Sequence, residues 1–223
     1  MKLRNIVTGI CVSLLGVGEG MAASNAVQKA PIRVNIDGMP VNLEPPLLTD
    51  TNTAWILHHV GDRLVEEHRP GQLQGNLALE WKISEDKRVY EFKIKTGEKF
   101  GDGKALDAKD VVESLSRARK NGDRSRVGFY LKNIESVVQK NGDMVEIVLK
   151  KPASNFLQIL SDASFTIYRP CSSVGGFCFT GEFDLAKLGP DSVEIRHRSN
   201  GQVFALQFMP FDEASSRFKA GAL

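Results

Sequence analysis

The chain has 223 residues, 42% of them hydrophobic and 25% charged, with a formal net charge of only +2. That length leaves room for one large domain or two small ones, and the composition is that of an ordinary soluble globular protein. No long basic run is present, which argues against nucleic acid as a partner.

The first residues read as a secretory signal peptide, not as part of the fold. Lys2 and Arg4 precede an apolar run over 6–17, and Gly20 and Ala22 place small residues at the −3 and −1 positions of a cut after residue 22. The run is too short for the ~20 residues that span a bilayer. Cys11 follows Ile10, where a lipidation site wants a small residue, so a lipoprotein is not expected. Cleavage would leave a nearly neutral chain with two cysteines, Cys171 and Cys178. In an oxidising compartment this pair could close a disulfide, because the intervening "SSVGGF" holds two glycines; two buried free thiols are the alternative. No His or third Cys lies near the pair, so no metal is expected there.

The elements follow in chain order. "PIRVNI" over 31–36 reads as a strand ending at Asp37-Gly38, followed by a proline-bearing loop. Ile56, Val60 and Leu64 recur at i, i+4 and i+8, which predicts a helix over 51–67 ended by "RPG" at 69–71. The period then changes: Tyr90, Phe92 and Ile94 alternate with Glu91, Lys93 and Lys95, a half-buried strand. With "LEWKI" before it and the polar "SEDKR" between, a hairpin is expected. A helix over 108–120 has Asp107 as N-cap, Asp110 in its first turn and Val111, Leu115 and Ala118 on its apolar face. "IESVVQ" and "MVEIVLK" flank Asn141-Gly142, a strong hairpin signal, and "ASNFLQIL" reads as a short helix. A second hairpin turns at Asn200-Gly201, and a final helix begins with Asp212 as its cap. Because no closing element follows that helix, a fragment or a truncated product is expected.

The glycines and Gly-Lys pair of "GEKFGDGKALDAKD" at 97–110 suggest a phosphate loop. A P-loop needs G-x-x-x-x-G-K-[ST] after a buried strand. Here Glu98 stands where the first glycine belongs, Ala105 replaces the hydroxyl, and Lys93 and Lys95 give the preceding strand a polar face. The histidines (His58, His59, His68, His197) form no H-E-x-x-H, and no G-x-S-x-G elbow occurs. Glu66-Glu67 reads as solvated surface. Neither an enzyme nor a cofactor is expected.

The stretch 77–112, "LALEWKISEDKRVYEFKIKTGEKFGDGKALDAKDVV", resembles the signature region of the bacterial extracellular solute-binding proteins of family 5, the peptide- and nickel-binding group that serves ABC importers. Leu77, Ala78 and Trp81 match Leu-Ala-x-x-Trp; Tyr90, Phe92 and Ile94 match Tyr-x-Phe-x-Ile/Leu. Gly97, Phe100, Asp102 and Gly103 match Gly-x-x-Phe-x-Asp-Gly, and Ala108, Asp110 and Val111 match Ala-x-Asp-Val. Further out, "NLEPPLLTD" resembles the Leu-Asp-Pro loop with Glu44 for Asp. "DRLVEE" resembles Glu-Gly-Leu-Val, with Gly61 where an aromatic is usual. "FTGEFDL" is similar to Gly-x-Gly-Pro-Tyr-x-Leu, with Glu182 and Phe183 for Pro-Tyr. The Tyr-Trp element that many members carry near the last hairpin is absent.

The resemblance implies an α/β fold: lobe I of a periplasmic binding protein-like architecture (type II, cluster C) with an extra α+β subdomain, the second lobe missing. The boundaries expected are a signal peptide at 1–22, a first lobe I segment at 23–48, the extra subdomain at 49–168, and a truncated return to lobe I at 169–223. The function implied is the periplasmic binding component of an importer for oligopeptides or a similar small solute, a monomer that docks on an inner-membrane ABC permease. A secreted interaction or sensor protein, or an inactive truncated paralogue, is the other reading. Cleft-facing positions are expected at Asp37, Gly38 and Met39 and at Thr180, Gly181, Glu182 and Phe183. Asp102-Gly103 is read as a turn before the Asp107 cap, outside the site.

Overall fold

The computed structural model describes residues 30–36 and 38–221; the expected signal peptide and Asp37 lie outside the described residues. The elements are β1 (Ile32–Ile36), α1 (Thr51–Val60), β2 (Val65–Arg69), β3 (Gln72–Gly75), β4 (Ala78–Ile83), β5 (Val89–Ile94), α2 (Ala108–Lys120), α3 (Gly128–Asn133), β6 (Ile134–Gln139), β7 (Met144–Leu149), α4 (Phe156–Leu160), β8 (Tyr168–Pro170), β9 (Phe177–Phe179), β10 (Phe183–Leu188), β11 (Ser192–His197), β12 (Val203–Phe208) and α5 (Phe211–Lys219).

Two four-stranded sheets organise the chain. One has the order β1-β12-β11-β10, with β1 parallel to β12 and the other pairs antiparallel. Alternation puts Val34 and Ile36 of β1 on the face shared by Phe204 and Leu206 of β12. That face packs with Ile56, Leu57 and Val60 of α1 into one core. The other sheet, β4-β5-β7-β6, is wholly antiparallel. Every second residue of β5 (Tyr90, Phe92, Ile94) and β7 (Val145, Ile147, Leu149) is buried, and with Val111, Leu115 and Ala118 of α2 they form a second core.

Both Asn-Gly and polar-turn hairpins form as the alternation predicts. The helix over 108–120 also forms, with reciprocal caps: Asp110 N–H donates to Asp107 Oδ1 at 2.9 Å and Asp107 N–H to Asp110 Oδ2 at 3.2 Å.

The helix expected over 51–67 stops at Val60. Gly61 is extended (φ −141°, ψ 150°), and the Leu64 carbonyl accepts from Asn76 and Ala78 N–H groups instead of a helical turn. Ile56 and Val60 belong to the α1 core but Leu64 to the second, so a continuous helical stripe in sequence is divided between two cores in space. "RPG" is the β2–β3 turn, with Gly71 at φ +78°. The last helix starts with Pro210 at the N-cap position; Asp212 sits in its first turn and does not cap it.

The Gly-rich stretch is a closed turn. Phe100 N–H donates to the Lys104 carbonyl and Gly103 N–H to that of Phe100, Gly103 having φ +85°. The amides of Phe100, Gly101, Gly103, Lys104 and Leu106 are bonded within the fold and so are not available to cradle an anion. Cys171 and Cys178 are disulfide-bonded across the β8–β9 hairpin, their Cα atoms 5.8 Å apart.

Candidate functional site

The two segments expected to face a ligand lie at opposite ends of the first sheet. Gly38 and Met39 follow the carboxyl end of β1, level with the end of β12, where Ile36 pairs with Phe208. Phe183 opens β10 opposite His197, beyond the Arg196–Val203 pair that marks the start of β12. About six residues of strand, or ~20 Å, separate them. Helix α1 bridges that distance. At its beginning Asn52 Nδ2 donates to the Gly38 carbonyl at 2.8 Å, and at its end the Val60 carbonyl accepts from Gly181 N–H at 2.9 Å.

The Thr180–Phe183 end is a joint. A Cβ on Gly181 would stand 2.6 Å from the His59 carbonyl oxygen and 2.7 Å from the Gly61 nitrogen, so only glycine lets the chain pass the end of α1. Arg198 binds the surroundings together. It donates through Nη1 to the carbonyls of Lys99 (3.0 Å) and Thr180 (3.1 Å), through Nη2 to that of Phe179 (3.0 Å), and through Nε to Asp184 Oδ1 (2.9 Å). Gly101 N–H donates to the Phe179 carbonyl, and its missing side chain leaves room for Asp184 and Arg198. Asp102 is paired with Arg169; burial alone would raise its pKa, but that hydrogen bond and charge hold it below the ordinary carboxylate range. The Phe183 ring packs edge-on to His59, His197 and Phe204. Thr180 and Gly181 are buried and the Glu182 side chain is exposed; the three border a cavity of about 310 Å³ that also meets Asp62 and Lys95.

The Gly38 end is the more exposed of the two, residues 38–41 being half-buried or exposed where Thr180 and Gly181 are buried. In α/β sheets ligands bind outside the carboxyl ends of parallel strands. Here those ends, β1 and β12, stand beside the amino-terminal ends of α1 and α5, where backbone N–H groups point outward. Asp50 caps α1, accepting from Thr53 N–H at 2.7 Å and holding the Val41 amide of the preceding loop. Asn35 Nδ2 donates to the Met209 carbonyl, fastening β1 to the exit of β12. Val41 and Phe208 are exposed at this edge. Glu44 is a tie: it accepts from the Tyr168 hydroxyl at 2.9 Å and from Asn121 at 3.1 Å. Burial, with that carboxylate beside it, pushes the Tyr168 phenol well above its ordinary pKa.

Arg198, Asp184 and Gly101 carry no local signal in the sequence, because most of their partners are remote in it. Asp50 was legible, as an N-cap residue directly before a helical stripe. Among the described residues no group of three or more His, Cys, Asp or Glu could hold a metal ion.

The profile of the bacterial extracellular solute-binding proteins, family 5 (middle region), matches residues 72–200. The probable D,D-dipeptide-binding periplasmic protein DdpA of Escherichia coli K12 is 28% identical over 153 residues, which cover 66% of this chain and 29% of that protein. The glutathione-binding protein GsiB of the same strain is 26% identical over 158 residues, 71% of this chain and 31% of that one. The chain thus aligns with less than a third of the length of these relatives. Among solved structures, NikA from Brucella suis in complex with Fe(III)-EDTA superimposes with a TM-score of 0.77 at 22% identity, covering 87% of this chain and 43% of that one.

Proposed function

The chain belongs to the bacterial extracellular solute-binding proteins of family 5, and from this we propose that it is the periplasmic binding component of an ABC importer for an oligopeptide or similar small solute. In this reading, residues 23–48 and 169–223 form lobe I, residues 49–168 an extra subdomain, and residues 1–22 direct export. The solute lies at the carboxyl edge of β1 and β12 and is enclosed when a second lobe closes over it. The observation that carries the reading is the parallel β1–β12 pair with the amino-terminal ends of α1 and α5 beside its carboxyl edge. Asp37, Gly38 and Met39 are the contact positions on this lobe. Thr180 to Phe183 serve the joint in this reading. Extended peptides suit such an edge, because main-chain groups supply much of their affinity. The protein acts as a monomer until it meets the permease.

A panel of glutathione, a D,D-dipeptide and Ni(L-His) tests this by thermal shift and amide chemical shifts. A binding probe at about 100 times its Kd raises stability by ~2.7 kcal/mol and moves the amides of 38–53 and 208–213. Saturating shifts confined to the Thr180–Phe183 end, or none with any probe, would sink the proposal.

A further inference from the structure

A cavity of about 600 Å³ opens beside the carboxyl end of α1, a helix length away from the Gly38 edge. Its wall includes His58, Arg63, Glu66, Glu67, Gln158 and Asp162. The volume lies within the ~300–1,000 Å³ typical of small-molecule pockets.

Arg63 is the unusual group. Its side chain is only 5% exposed, and a charge is tolerated out of water only when it is paired and hydrogen-bonded. Yet Nη1 reaches the Gly61 carbonyl only at 3.4 Å, and Nη2 stands 3.9 Å from Glu66, beyond hydrogen-bond reach. Nε has no partner among the described residues. A guanidinium carries five donors, so most are unspent. Glu66 stays in ion-pair range of Arg63, but the neighbouring carboxylates take their hydrogen bonds from other donors. Glu66 accepts from Gln74 and Asn76, Glu67 from Gly71 N–H and Gln158, and Asp162 from Arg126 and Ser164 N–H.

We infer that this cavity is a second solute site, one that takes a small zwitterion of the free amino-acid class, with its carboxylate on Arg63 and its ammonium against Glu66 and Glu67. The planar fork of an arginine matches a carboxylate. Arg63 and Arg126 are set against three carboxylates, and burial, with the Arg63 charge next, holds His58 below its ordinary pKa. The wall therefore carries excess negative charge, which opposes a simple anion and accepts a molecule bearing both signs. Glu66 and Glu67 keep lone pairs for an ammonium, since a carboxylate has about four acceptor sites. This site is remote from the β1–β12 edge and does not depend on the function proposed for that edge.

Titrating the full chain with glycine, acetate and methylamine by amide NMR tests it. Glycine is expected to shift the amides of 58–67 and 158–162 with a Kd of about 1 mM or tighter, and the two single-charge probes to bind at least ~10-fold more weakly. Arg63→Lys weakens glycine and acetate alike. Glu67→Gln, at an exposed position, weakens glycine and spares acetate, and this arm decides the matter if the buried variant does not fold. No glycine-dependent shift at these amides would mean that water alone serves Arg63 and would overturn the inference. Acetate binding as tightly as glycine would overturn it too, as would a Glu67→Gln variant that binds glycine normally.

Discussion

Replacing Gly181 by alanine separates a joint from a binding surface. The added Cβ would lie 2.6 Å from the His59 carbonyl oxygen, 2.6 Å from the Val60 carbonyl carbon and 2.7 Å from the Gly61 nitrogen. Ordinary contact begins near ~3.5 Å, so the end of α1 and the start of β10 must part by almost an ångström. The obstacles are all backbone atoms, and no side chain can swing away to relieve them. The Gly181–Val60 hydrogen bond, 2.9 Å in the structure, would stretch beyond bonding range. Overpacking costs about 1–3 kcal/mol and the lost bond about 1 kcal/mol, so the expected loss is ~2–4 kcal/mol. For a chain of this size that is a fall in Tm of about 4–16 °C. Gly38→Ala is the control: its Cβ meets only Asn52 Nδ2, at an ordinary 3.6 Å, and the change should stay within ~0.5 kcal/mol. Thermal and urea denaturation of both variants reads the difference. A Gly181→Ala protein that melts within about 1 °C of its parent would refute the reasoning.

Three further outcomes are expected. Arg198→Ala removes the donor shared by Lys99, Phe179, Thr180 and Asp184; the pair is partly solvated, so the loss should be ~1–3 kcal/mol in urea denaturation, and lysine, lacking the fork, should not restore it. Thiol labelling of the unfolded, unreduced chain should leave Cys171 and Cys178 unmodified, and Cys178→Ala should cost about 2.5 kcal/mol, as expected for a loop with a sequence separation of 7. His58 titrates below its ordinary value in the folded state because of burial and then Arg63, so the unfolded chain binds more protons as pH falls through ~6.5. Its contribution is intact above that pH and lost below it. The parent should therefore lose more stability than His58→Gln between about pH 7 and pH 5, and parallel pH curves for the two would contradict the assignment.

Wherever a local rule decides the structure, the sequence could be read. The alternation of Tyr90, Phe92 and Ile94, the Asn-Gly turns and the Asp107–Asp110 reciprocal cap all depend on neighbours a few residues away. The failures come where distant segments meet. Leu64 fits the stripe of α1, but its carbonyl is claimed by residues 76 and 78 and its side chain by the other core. Gly181 was legible as a glycine in a loop; that it passes the end of α1 was not. The candidate site was half legible for the same reason. Strand ends next to turns can be found from periodicity, but which ends share an edge depends on register. Only the parallel pairing of β1 with β12 shows that Gly38 and Phe183 face opposite ways along the sheet.

That pairing also sets the order in which the chain can assemble. Gln202 reaches back to the Ala30 carbonyl, 172 residues earlier, while the sheet of β4 to β7 is built from strands close in sequence and has its own core. Contacts of such long range close late, after local ones have formed. β1 must therefore wait until residues 203–208 are available to pair with it. Until then Ile32, Val34 and Ile36 form an unpaired apolar strand, the kind of segment that seeks other edges. Among the described residues β1 stands at the margin of its sheet, paired with β12 alone. The strand that leads to the proposed solute edge is thus also where misassembly would begin, and keeping it covered until β12 arrives is a demand that the topology itself places on the cell.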